Sequence, residues 1–252
     1  MLDLFRRRRE DKTPLRRVRD AICSGDPALV RRIFMRFPAE LNNDDPSTGC
    51  HLYWACHSGN LDIVRAMVEL GADVNSNSRD GWAPIAGACA EGRIDVVRYL
   101  LSLGCELDVS TSLSNPMFAC VASSLYRNRA SAEAAGYKNV DEVREILAQV
   151  AGILIEHGID LTACYNQESM VDMDISAFAY MFGLRDIAEA VISNLYGHDE
   201  RLLASARAEA IEVALGNAFS RQRFRRRRYP PRRGKHAGET PPPGEYWAPA
   251  GP

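Results

Sequence analysis

An all-α solenoid of about five helix-turn-helix units with capping helices is the fold class this sequence predicts. Three observations predict it. Residues 55–75 read ACHSGNLDIVRAMVELGADVN and residues 88–108 read ACAEGRIDVVRYLLSLGCELD, one stretch written twice. Gly59 and Gly92 are 33 residues apart, and so are Gly71 and Gly104. A fixed period of this length is the mark of a repeat array. In each copy one glycine separates two short helical patterns and a second glycine closes the unit. Further on, Val140 to Glu156 carries apolar residues at 140, 143, 146, 147, 150, 151, 154 and 155. That spacing predicts a long amphipathic helix.

The elements can be placed in order on this period. Ala21 to Val30 aligns upstream, with Gly25 34 residues before Gly59; we read it as an N-terminal cap. Thr13-Pro14-Leu15 lies three residues out of register and is not counted. The clearest unit is Asp80-Gly81-Trp82-Ala83-Pro84-Ile85-Ala86-Gly87-Ala88-Cys89-Ala90-Glu91-Gly92. It resembles the ankyrin repeat, whose signature is D-G-x-T-P-L-H-L-A-A-x-x-G, with Ala83, Ile85 and Ala86 in place of Thr, Leu and His. The preceding unit keeps its second half, but Cys50-His51-Leu52-Tyr53 stands for T-P-L-H. The resemblance is to divergent, bacterial-type ankyrin proteins. It implies a binding surface without chemistry of its own.

A fourth unit starts at Asn115-Pro116-Met117-Phe118 and closes at Gly158. It holds an insertion at about 123–144, which lengthens its second helix. A fifth runs from Ile175 to Ile192. Asp62, Asp95 and Asp186 each lie three residues after the mid-repeat glycine. Glu200 to Arg223 reads as a polar-faced capping helix, needed because a terminal repeat otherwise exposes its apolar side. The expected organisation is a basic arm at 1–12, a repeat domain at 13–224 with its cap at about 200–223, and a disordered Pro/Gly-rich basic tail at 225–252.

Composition narrows the function. The formal net charge of −2 hides a split: residues 1–20 carry +4, residues 221–252 carry +7, and residues 21–220 carry −13. This is compatible with solvated tails, with arms that fold back on the body, or with an acidic surface that selects a basic partner through complementary potential. The lysines are only Lys12, Lys138 and Lys235; an arginine skew fits a GC-rich coding sequence. No apolar run reaches the ~18–20 residues of a membrane span. Met1 to Arg9 has no apolar stretch after its charges, so no secretory leader is expected. Seven cysteines without a disulfide-framework spacing point to reduced thiols and a cytoplasmic location.

No catalytic motif, cofactor motif or small-molecule site is expected. Cys50-His51 and Cys56-His57 look like metal ligands. On a helix, however, Cys50 and His57 lie about 10 Å apart along the axis, and no further ligands complete a zinc set. Cys56 and Cys89 take first-helix positions where the family packs alanine, so buried structural thiols are expected. Asp172-Met173-Asp174 reads as solvated residues of a turn.

What the resemblance implies about binding is specific. Exposed variable positions in the family flank the turn glycine and precede the mid-repeat glycine. Carried over, these are Arg79, Asp80 and Trp82, then Ala90 and Glu91; in the previous unit Pro46, Ser47 and Gly49, then His57 and Ser58; in the fifth Met170, Val171 and Met173, then Met181 and Phe182. The expected partner is a protein, basic in charge, such as a toxin neutralised by an immunity protein. The alternative is a nucleic-acid-associated regulator using Arg225, Arg226, Arg227 and Arg228.

Overall fold

The computed structural model of the chain describes residues 14–45, 49–76, 83–107, 115–122, 139–167 and 170–228. These divide at Leu161/Thr162 into two compact units. In the first, helices come in pairs: α1 (Pro14–Ser24) with α2 (Pro27–Arg36), α3 (His51–Ser58) with α4 (Leu61–Glu69), α5 (Pro84–Ala90) with α6 (Ile94–Ser102), and α7 (Pro116–Val121) with α8 (Val140–Glu156). The first helices stack in series, α1 on α3, α3 on α5 and α5 on α7. The second helices form a parallel layer, α2 on α4, α4 on α6 and α6 on α8. A short antiparallel pair, β1 (Asp44–Asp45) and β2 (Gly49–Cys50), precedes α3. This arrangement is helical and repeat-like, as the period requires.

Local chemistry explains the α3–α4 pair. Gly59 closes α3 at φ 79°, a left-handed conformation that side chains resist. Asn60 then caps α4 by accepting from the backbone N–H of Asp62 and Ile63, each at 3.1 Å. Asp62 and Asp95 sit in the first turns of α4 and α6, where negative charge suits the helix dipole. The apolar register repeats with the period: Ile63, Val64 and Met67 of α4 are buried, as are Val96, Val97 and Leu100 of α6. Polar side chains tie one pair to the next. Asn42 donates to the Gly71 carbonyl at 3.0 Å and accepts from the Asp73 N–H at 2.9 Å. Asn75, 33 residues on, accepts from the Glu106 N–H at 2.9 Å. Asn60 reaches back to the Gly25 carbonyl at 3.3 Å, and Arg93 to the His57 carbonyl at 3.3 Å.

Cys56 and Cys89 are completely buried, with Cys120 of α7 beside them in the same layer. Burial pushes the thiols of Cys56 and Cys89 well above the ordinary range and Cys120 to about 12. They pack as small apolar groups.

The second unit opens with a hairpin, β3 (Cys164–Gln167) and β4 (Met170–Asp174), and continues with α9 (Ile175–Met181), α10 (Arg185–Tyr196) and α11 (Glu200–Arg228). Asp174 caps α9, accepting from the Ala177 N–H at 2.7 Å and the Ser176 hydroxyl at 2.7 Å. The Asp172-Met173-Asp174 segment is therefore a strand and a helix cap, where a turn was expected. Asp199 caps α11 through the N–H groups of Arg201 and Leu202.

Two sequence expectations change here. Pro14 of Thr13-Pro14-Leu15 does open a helix, because α1 simply begins about one turn earlier than its counterparts. The long helix runs from Val140 to Glu156 as its spacing predicts, with Asn139 as cap, while residues 123–138 of the expected insertion lie outside the described residues. Most consequentially, α11 runs through Arg225 to Arg228, where a disordered tail was expected to begin. Arginine is a strong helix former and suits a helix C-terminus. The first breaker is Pro230, which also disfavours helix at the residue before it.

Candidate functional site: the first-helix layer

The first-helix layer is closely packed. Gly87 of α5 meets α3 with no room for a side chain: a Cβ there would lie 2.9 Å from the Tyr53 carbonyl oxygen and 3.0 Å from its ring. Every residue of α5 and α7 is buried. The polar content of the layer gathers where α3 ends. His57 Nε2 lies 3.3 Å from Glu91 Oε1, with the two side chains 30% and 8% exposed. Burial, and then the Arg93 guanidinium nearby, lower the His57 imidazole to about 4. At that value the ring is neutral near pH 7, so the contact sets an uncharged imidazole beside a carboxylate. Burial and the Glu91 charge raise the Tyr53 phenol far above its usual value.

Around this pair stand aromatic rings. Tyr53 and Trp54 meet edge to face at 5.5 Å, and Trp54 lies 5.4 Å from the His57 ring. Trp54 and His57 are the half-buried members of α3; Tyr53 is buried. Trp54 did not figure among the sequence candidates. Its signal was available, since it stands three residues before His57 and therefore on the same face of a helix.

The other expected positions divide. His57 and Ser58 are accessible at the end of α3. Ala90 and Glu91, expected to be exposed, are buried at 4% and 6%. The reason is that α5 is short, rich in small residues and pressed between α3 and α7, so the previous unit's His57 covers Glu91. Met173, also expected on the surface, is completely buried; it pairs with Tyr165 in the hairpin and faces the core of its unit. Met170 and Val171 lie in β4. Met181 and Phe182 are half-buried at the end of α9, with Phe182 packed edge-on against Phe178 at 5.0 Å. Of the five positions carried over in this unit, Met173 is therefore removed from the surface. Pro46, Ser47, Arg79, Asp80 and Trp82 lie outside the described residues. Arg225 to Arg228 form the last turn of α11.

A second polar network sits in the other unit. Glu189 of α10 accepts from the Tyr180 hydroxyl at 2.6 Å and from Arg207 Nε at 2.7 Å. Burial works against its charge, but those two bonds and the Arg207 charge hold the carboxyl below its usual range. This joins α9, α10 and α11 through one side chain.

Among the described residues, no group of three His, Cys, Asp or Glu could hold a metal ion. No helix among them is long and apolar enough to cross a membrane. No curated protein matches the chain. The family model for ankyrin repeats matches residues 19–111 in three copies, the stretch from within α1 through α6. Residues 19–111 are thus an ankyrin-repeat region, a fold that generally serves as a non-catalytic scaffold for protein–protein interaction.

Proposed function

We propose that the chain is a cytoplasmic, non-catalytic binding module that engages a protein partner through the side formed by its first helices and turn tips. In this reading α7–α8 and α9–α10 are a fourth and a fifth unit, between a cap at α1–α2 and a cap at α11. The repeat domain then spans 13–224, between a basic arm and a basic tail. The spacing of Gly183 to Asp186, equal to that of Gly59 to Asp62, supports the fifth unit. The observation that carries the binding assignment is the half-buried ring pair Trp54 and His57, held on a closely packed layer. Rigid aromatics over a buried polar centre suit interface anchors. Trp82, at a turn tip of the sequence pattern, is proposed as a second anchor, together with Arg79 and Asp80 of the same pattern. Met170, Met181 and Phe182 are the apolar contribution of the fifth unit. The −13 of residues 21–220 favours a basic partner, and a toxin held by its immunity protein is one such pairing.

The test is alanine substitution of Trp54, Trp82 and Phe182 with affinity measured for the partner encoded by the adjacent gene. Each anchor should weaken binding about 30-fold, equal to about 2 kcal/mol, with helix content unchanged. Full affinity in all three variants would refute the placement.

A further inference from the structure

The arginines of the C-terminal segment stand on a helix. We propose that the arginine end of α11 is a rod that docks into the major groove of a nucleic-acid duplex. This does not depend on the protein-binding assignment, which rests on other helices.

Geometry comes first. α11 has 29 residues, which at 1.5 Å each span about 43 Å. Its first half is anchored by buried Ala210 and Ala214 and by the Arg207–Glu189 pair. Leu215 is exposed. After Glu212 the helix contains no acidic residue and holds Arg221, Arg223, Arg225, Arg226, Arg227 and Arg228. At 3.6 residues per turn, positions 221, 225 and 228 fall on one line of the helix. Positions 223 and 227 fall on a second line roughly opposite, with 226 between the two.

Charge density identifies the occupant. The six arginines occupy a rise of about 10 Å. Duplex DNA presents one negative charge per ~1.7 Å of axis, hence about six phosphates over the same length. Its major groove, about 12 Å wide, admits one α-helix and has phosphates on both walls. Arginine positions on two sides of the helix suit two walls. A bilayer surface fits poorly, since it requires an apolar helix face and Phe224 is the only apolar residue from 221 to 228. Single strands fit poorly too, because recognition by stacking needs several aromatic rings. Like charges at 221/225 and 223/227 also repel along a free helix. Neutralisation by phosphate relieves that repulsion, so the duplex should firm the helix it binds.

Fluorescence anisotropy with a 20-base-pair random duplex tests this on the full chain. The comparison is a variant with all six arginines changed to glutamine, another good helix former; Arg232, Arg233 and Lys235 remain in both. The natural chain should lose about 1,000-fold in affinity between 50 and 200 mM salt, the loss expected for six phosphate contacts. The variant should bind at least 100-fold more weakly at 50 mM, with a much shallower salt slope. Changing either line alone, 221/225/228 or 223/227, should weaken binding, and amide exchange over 217–228 should slow on adding duplex. Equal duplex affinity in chain and variant would overturn the proposal. So would binding to anionic vesicles in preference to duplex, or one line proving silent. A lowered melting temperature in the variant with duplex binding intact would also overturn it, since the arginines would then pair with the chain itself.

Discussion

Gly87 is the residue on which the first-helix layer depends most closely. Its missing Cβ lets α5 approach the Tyr53 backbone, and a methyl group there must displace α3 or α5. Gly87→Ala should destabilise the protein by about 1–3 kcal/mol, the usual result of overpacking, as read from urea unfolding. His57 makes a second prediction at this scale. Its folded-state value of about 4 lies below the ~6.5 of an unfolded chain. The unfolded state therefore binds the proton more readily between those limits. The stability contribution is fully present above pH ~6.5 and is lost as pH falls toward about 4. Unfolding midpoints of the natural chain and His57→Asn, compared from pH 7 to 5, should converge as pH drops. A difference that stays constant would remove the neutral-histidine account. His57 and Glu91 also show where the sequence misled: a position rule written for one repeat cannot see that the previous repeat supplies the ring that covers Glu91.

At the scale of elements, α11 is held through Glu189. Replacing it by alanine removes two bonds, one of them to a charged partner, and should cost about 1–2 kcal/mol after allowance for partial exposure. Amide exchange in the first half of α11 should rise while α4 and α6 stay protected; no change in α11 would show the network to be incidental. The helical elements were largely legible in sequence. The glycine between helices, the aspartate three residues after it and the apolar register of Ile63, Val64 and Met67 are local signals repeated by the period. The long α8 was legible for the same reason, since its apolar stripe is continuous. The end of α11 was not legible, because a run of arginines reads as a disordered composition although each residue favours helix. Met173 was missed because a strand's alternation, rather than a turn's exposure, governs its side chain.

For the whole molecule, a closely packed repeat region is joined, in the proposed reading, to a charge split that would favour a basic partner. Association with a basic partner should slow as salt rises, because the screening length shortens to ~3 Å at 1 M; a rate independent of salt would leave the −13 without a role in encounter. The central claim is that binding occurs on the first-helix and turn-tip side. Photo-crosslinking from single positions tests it most directly. A photoreactive residue at 54, 57 or 82 should capture the same protein in source cells. The same residue at 98 or 102, exposed on the second-helix layer, should capture none. Capture from 98 and 102, with none from 54, 57 and 82, would contradict the account.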